Sequence, residues 1–250
     1  MHGVNQPQAP RHRRRGTVSA VATFFGFLGE LLLTAGALLG LFVVWQLHWT
    51  SYLAQSSMAA GVAQFEKAAP PKVDKVVAPE VVKRDTPPPV GAVPGMDEIF
   101  GTLHVPRWDH MEIPIAEGTE ATVLDQGWAG HYPDTQAPGD VGNFAVAGHR
   151  QTWGHNFRRV HELEVGDPII VETADAWLVY KMTSYEIVLP EQVEVVAPVP
   201  NQPDQTPTKR LLTMTTCDPE WGNSHRYIVY SEFDHWVPRS EGVPPELKGA

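Results

Sequence analysis

Cys217 is the only cysteine in the 250-residue chain. It ends the strand-like run Arg210-Leu-Leu-Thr-Met-Thr-Thr-Cys217, directly before Asp218-Pro219. His149 follows the apolar run Phe144-Ala-Val-Ala-Gly148, and Arg226 opens a last strand-like run after the turn-forming Glu220-Trp-Gly-Asn-Ser224. Brought together, a thiol, an imidazole and a guanidinium would carry out cysteine nucleophilic catalysis. The thiolate attacks an acyl carbon, and a neighbouring His or Arg favours the charged sulfur. The planar, permanently charged guanidinium suits the oxyanion of a tetrahedral intermediate. An imidazolium can give its proton to a departing amine. Each residue also has an inert reading: a small buried side chain for Cys217, a solvated turn residue for His149, a surface ion pair for Arg226. Asp218 sets a negative charge beside the sulfur, which opposes thiolate formation unless it is turned away.

Other histidines stand in the same region: His131, His155, His161 and His225. His225 adjoins Arg226, but neighbours on a strand face opposite sides, so the two do not serve one cleft together. His149, His155 and His161 are evenly spaced, yet they lack the helical i, i+4 pairing or cysteine partners of zinc motifs. No spaced carboxylate loop suggests calcium. The sequence therefore calls for neither metal nor cofactor.

The elements that must position these residues follow an apolar N-terminal stretch. Arg11, Arg13, Arg14 and Arg15 precede a run from about Val18 to Leu47, broken by Glu30. About 30 helical residues reach roughly 45 Å, more than the ~30 Å hydrocarbon core. Trp45, Trp49 and Tyr52 mark its far end as an interfacial aromatic belt. The run is too long for a signal-peptide core, although Ser57-Met58-Ala59 offers a passable cleavage site. The expected topology is a single-pass membrane anchor, residues 18–49, with a basic cytoplasmic tail, residues 1–17, and everything beyond it outside the cell. Residues 50–97 read as a helical then Pro-rich linker, an extended spacer that holds the next domain off the lipid. Of 19 basic and 29 acidic residues, four bases and one acid precede residue 51, which leaves 15 against 28 in the exported part. That sign argues against nucleic acid as a partner and against docking on anionic lipid.

Residues 98–240 have the size of one domain with one core, and residues 241–250 read as a flexible tail. Strand patterns cover Gly101–Val105, Met111–Ile115, Asn143–Ala147, Pro168–Glu172, Trp177–Ile187, Lys209–Thr216 and Tyr227–Phe233. Glu172-Thr-Ala-Asp175 reads as a hairpin break. Helical signals are short, near Glu120–Asp125 and Phe157–Leu163. Without repeats or alternating long helices, the expected class is mostly β: an antiparallel barrel or sandwich. The connections Gly127–Val141 and Leu189–Thr208 are long enough to be functional.

Three blocks, Gly142-Asn-Phe-Ala-Val-Ala-Gly-His149-Arg150, Leu211-Leu-Thr-Met-Thr-Thr-Cys217 and Arg226-Tyr-Ile-Val, resemble the signature blocks of sortases. His131-Tyr-Pro-Asp-Thr135 and Val165-Gly-Asp-Pro-Ile-Ile-Val-Glu-Thr173 look most like the class E branch. The resemblance covers nearly all of residues 100–233. One departure is Met214 where the family usually has Leu, a swap that nearly conserves volume. The resemblance implies a closed β-barrel of about eight strands and a cysteine transpeptidase. It makes Cys217 the nucleophile, His149 the general acid/base and Arg226 the oxyanion or carbonyl donor. Tyr132 matches a position associated with preference for Leu-Ala-x-Thr-Gly, and Thr216 would lie against the substrate threonine. The implied reaction cleaves a C-terminal sorting signal between Thr and Gly and passes the secreted protein to an amine of a cell-wall precursor. The alternatives are a pilin-polymerising sortase, an L,D-transpeptidase, and an inert membrane-tethered wall-binding module. Nothing around Cys217 has the Ser/Thr-His-Gly-Cys setting of the L,D-transpeptidases.

Overall fold

The computed structural model describes residues 20–109 and 111–248, with the side chains of Leu47 and His48 left aside. Contacts divide the chain into two units, up to Gln46 and from Leu47 onward. The described residues of the first, 20–46, are helical. Helix α1 spans Ala20–Ala68, and its part up to Gln46 carries exposed apolar side chains such as Phe24, Leu33 and Leu41. It is long and apolar enough to cross a membrane.

The second unit is a closed barrel of eight strands: β1 (Ile99–Val105), β2 (Met111–Glu117), β3 (Ala129–His131), β4 (Gly142–Ala147), β5 (Pro168–Glu172), β6 (Ala176–Val188), β7 (Arg210–Asp218) and β8 (His225–Pro238). Around the barrel the order is β1-β2-β3-β4-β7-β8-β6-β5, and β5 closes on β1. The closed circuit leaves no unpaired strand edge. Seven strands match the sequence pattern. The eighth, β3, lies inside the expected loop Gly127–Val141, because three residues are too few to show alternation. Two pairings, β2 with β3 and β4 with β7, are parallel, and the rest are antiparallel. A one-turn helix α2 (Ala121–Leu124) and a 3-10 turn at Arg158–Glu162 stand where short helical signals were expected.

Alternation sorts the residues of β4, β7 and β8. Phe144 and Val146 of β4, Leu212 and Met214 of β7, and Tyr227 and Val229 of β8 enter the barrel core with Leu103, Ile113 and Trp108. The intervening residues therefore lie on the outer face. Truncating one fully buried core side chain to Ala costs about 2–5 kcal/mol through lost transfer energy and residual cavity.

The Pro-rich segment does not stand off as a spacer. It lies along the barrel, with Val73 N bonded to Arg239 O, Val77 N to Val243 O, Lys83 bridged to Trp236, and Gly91 N bonded to Pro138 O. Its valines supply the reason: Val77, flanked by Val76, Val81 and Val82, packs on Ile170, Trp177, Val179 and Val237. Proline removes donors that such a strap has no need to satisfy. The C-terminal stretch differs from expectation in the same way. Val243 is buried in this cluster and Leu247 packs on it, so residues 241–248 are a docked end rather than a flexible tail.

A buried charge cluster ties these pieces at the barrel end where β8 finishes. Glu172, 1% exposed, accepts from Arg239 Nε at 2.7 Å and from Thr102 Oγ1 at 3.3 Å, and bonds His104 Nε2 at 3.1 Å. Arg239 also donates to Glu66 at 2.7 Å and to the carbonyl of Pro70. Burial by itself would push the Glu172 carboxyl up. The bond and charge of His104, the Arg239 bond and the Lys72 charge outweigh it and hold the group below its ordinary value. A carboxylate depressed in this way stabilises the fold above its unfolded pKa of about 4.3, and the contribution is lost as pH falls through the folded value. Removing the Glu172 charge leaves the buried Arg239 guanidinium with Glu66 as its remaining carboxylate partner. Glu172→Gln is therefore expected to lower stability by about 3–5 kcal/mol at pH 7 in denaturant titration. The gap to wild type should begin to narrow as pH falls below about 4.3 and close only below the lower folded-state value. A gap that persists unchanged in acid contradicts the assignment.

Candidate functional site

The topology brings the three chemical residues to one end of three adjacent strands. β4 and β7 run parallel, pairing Ala147 with Thr215, so their C-terminal ends coincide. β8 runs antiparallel to β7, so its start lies at that same end, with Arg226 directly across from Cys217. His149 follows β4 by two residues on that edge, and Gly148 N bonds Thr215 O at 3.1 Å. In an antiparallel pair, residues opposite one another project to the same face. Cys217 and Arg226 accordingly share the outer face, and alternation puts Thr215 and Ala147 on it too.

Gly148 is required where it stands. A Cβ there would approach the Phe157 ring to 2.7 Å. Phe157 N in turn bonds His149 O at 3.0 Å, which closes the loop that follows the histidine.

His149 is half-buried, and its Nε2 lies 2.8 Å from Asp125 Oδ1. Asp125 caps the C-terminus of α2. Such a carboxylate fixes the ring orientation and leaves the other ring nitrogen to work. Asp125 carries no sequence signal, since it lies 24 residues upstream of His149 after a helix of one turn. Arg226 donates Nη1 to the carbonyls of Asn223 and His225, both at 2.9 Å, so one edge of its guanidinium is tied to the β7–β8 connection.

Cys217 is half-buried, not sealed in the core. The charge of Asp218 is met by Arg150, 6% exposed, whose Nη1 donates to Asp218 Oδ1 and, at 3.1 Å, to Cys217 O. The same guanidinium lies 5.5 Å from the Tyr227 ring centroid. The acid beside the sulfur is therefore neutralised, and Arg150 was legible only as the neighbour of His149. The Asp218-Pro219 peptide is cis.

Tyr132 reaches the outer face from the loop after β3, its hydroxyl 2.8 Å from Thr215 Oγ1. Burial raises its phenol pKa most; the Thr215 bond and the charge of Arg226 pull it down, and Cys217 pushes it up. Tyr132 thus lies within electrostatic reach of both Cys217 and Arg226. Thr216 is placed differently from expectation. It points inward, 3% exposed, and its hydroxyl donates to Gly148 O at 2.7 Å. Period-2 alternation explains the difference, because the residue before an outward cysteine must face the core. Thr215 holds the outward position that Thr216 was expected to take.

The long β6–β7 connection walls the same face. Val195 and Val196 pack on Ile228 and Val188, and Asn143 Nδ2 donates to Ala197 O at 3.1 Å. Three other histidines have side-chain partners of their own: His131 is buried 2.6 Å from Glu117, His155 bonds Ser51 at 3.4 Å, and His225 bonds Ser224 at 3.0 Å. Among the described residues no cluster of three or more His, Cys, Asp or Glu is gathered for a metal.

Comparison with known proteins agrees with this geometry. The sortase-domain family model matches residues 103–234. Sortase SrtE1 of Streptomyces coelicolor is 37% identical over 98% of this chain and 67% of its own length. The SrtA sortase structure from Actinomyces oris has a TM-score of 0.64 at 53% identity, covering 66% of this chain and 95% of that one. The structure of sortase E1 from Streptomyces coelicolor, crystallised with a tripeptide in its active site, has a TM-score of 0.57 at 44% identity. It covers 62% of this chain and 98% of that one. A thiol, an imidazole and a guanidinium meeting at the edge of one closed barrel thus coincide with a family match across most of that barrel: the chain belongs to the sortases, cysteine transpeptidases, and to their class E.

Proposed function

We propose that Cys217, His149 and Arg226 are the catalytic residues, and that the enzyme cleaves a Leu-Ala-x-Thr-Gly-like sorting signal between Thr and Gly. The observation that carries this reading is the convergence of the three residues at one edge of β4, β7 and β8. The Cys217 thiolate adds to the threonine carbonyl carbon, and the developing oxyanion is met by the Arg226 guanidinium. His149, as imidazolium, gives its proton to the departing glycine nitrogen as the C–N bond breaks. The product is a thioester on Cys217. An acceptor amine then attacks that thioester, His149 takes the amine proton, and the sulfur leaves as thiolate. The acceptor is an amine of a cell-wall precursor. Tyr132 and Thr215 present bonded hydroxyls on the outer face that also carries Cys217, where the alanine and threonine of the signal would lie. Arg150 keeps Asp218 from opposing the thiolate.

Residues 20–46 serve as a single-pass anchor, with the basic N-terminus in the cytoplasm and the barrel outside. The substrates are secreted proteins that carry the sorting signal.

Release of a fluorogenic Leu-Ala-x-Thr-Gly peptide tests the nucleophile. Cys217→Ala should lose at least about 10³-fold in turnover with its fold intact by circular dichroism. Equal turnover by wild type and variant would remove Cys217 from the reaction. Arg226→Lys keeps the charge but loses the planar fork, and a loss of roughly 10²-fold in kcat is expected.

Asp125 is a positioning residue. A hydrogen bond to a charged group contributes about 1.5–3 kcal/mol, so Asp125→Asn should lower kcat by roughly 10- to 150-fold. KM should stay nearly constant, and Asp125→Glu should recover part of the rate. A change confined to KM contradicts the role.

A further inference from the structure

The acyl-transfer site does not account for a second feature at the same end of the barrel. A cleft of about 570 Å³ lies between Tyr52 and Gln55 of α1 on one side and Gln151, Arg158 and Trp221 on the other. Trp221 belongs to the turn that joins β7 to β8, four residues after Cys217, and it is 68% exposed. Tyr52 is 64% exposed, and its ring lies tilted, 6.1 Å from that of Trp49, itself exposed. Arg158 lies over the Trp221 ring at 5.5 Å and is held by Glu220 at 3.0 Å. Among the described residues no carboxylate lines the cleft. Large amphipathic rings from two distant segments of the chain therefore open onto one depression.

Chain connectivity identifies what the rings meet. Tyr52 lies six residues beyond Gln46, the end of the apolar unit. Six residues span at most about 20 Å in any conformation. The α1 segment around Tyr52 is itself fastened to the barrel, because Ala54, Met58 and Phe65 are buried and Trp128 Nε1 donates to Ser57 O at 3.3 Å. Trp and Tyr combine an apolar body with a polar tip and settle at the headgroup level of a bilayer.

We propose that Trp221, together with Tyr52 and Trp49, docks the catalytic end of the barrel onto the lipid headgroup layer, so that the cleft opens at the membrane interface. The proposal rests on the reading of residues 20–46 as a membrane anchor. Docking is by aromatic partition and not by charge, since the chain carries a net charge of −10. The turn between Cys217 and Arg226 is then held at the membrane surface.

The full chain, labelled with 5-fluorotryptophan and reconstituted in phosphatidylcholine vesicles, tests the docking. Its eight tryptophans give fluorine resonances assignable one at a time by Trp→Phe substitution. A spin label on the lipid headgroup should broaden the Trp221 resonance, and an aqueous gadolinium chelate should reach it poorly. Trp236, near the far end of β8, should ignore the lipid label. Trp221 open to the chelate and untouched by the label overturns the docking. Trp45 separates the two readings. If Trp45 is broadened and Trp221 is not, the docking fails and the anchor stands; if neither is broadened, both fail.

Discussion

The site depends on the pairing of β7 with two neighbours that run in opposite directions. β4 alongside it is parallel and β8 is antiparallel. Only that combination brings the ends of two strands and the beginning of a third to one edge. A one-residue slip in either pairing would turn Cys217 toward the core or move Arg226 to the wrong face, because the side-chain period is two. The register is held by the apolar residues on the inner face, Leu212 and Met214 among them. Core packing and the geometry of the candidate site are thus one constraint, and the cysteine is outward because the methionine three residues before it is inward.

Around that edge the polar residues act in pairs that keep the chemistry local. Asp125 orients His149, Arg150 answers Asp218, and the inward Thr216 hydroxyl holds the Gly148 carbonyl just ahead of the histidine. The outward Thr215 is left to meet Tyr132. Two adjacent threonines therefore serve different purposes, Thr216 holding Gly148 just beyond β4 and Thr215 meeting Tyr132 on the outer face. At the opposite end, Glu172 and Arg239 fasten the Pro-rich strap and the end of α1 to the barrel.

Seven of the eight strands, the hairpin after β5 and the positions of the short helices were legible from alternation and turn chemistry. The closure of the barrel was not, since nothing local announces that β5 meets β1, and it came from resemblance. β3 escaped because three residues carry no period. The strap was misread because prolines suggest a free spacer, whereas the valines between them bury against β6 and β8. Cys217, His149 and Arg226 were visible as polar residues at strand ends. Asp125 was not, because its partnership is made by the fold across 24 residues without a motif. Thr216 was assigned to the substrate face by analogy, although the strand's own alternation already pointed it inward.

The central claim is that Cys217 becomes acylated by the substrate threonine. Intact-mass and peptide-mapping spectrometry on the full chain, quenched in acid during turnover of a Leu-Ala-x-Thr-Gly peptide, reads this directly. The account predicts an adduct equal to the peptide up to its threonine, located on Cys217 and removed by hydroxylamine. Cleavage of the peptide with Cys217 unmodified throughout, or with the acyl group on another residue, would contradict it.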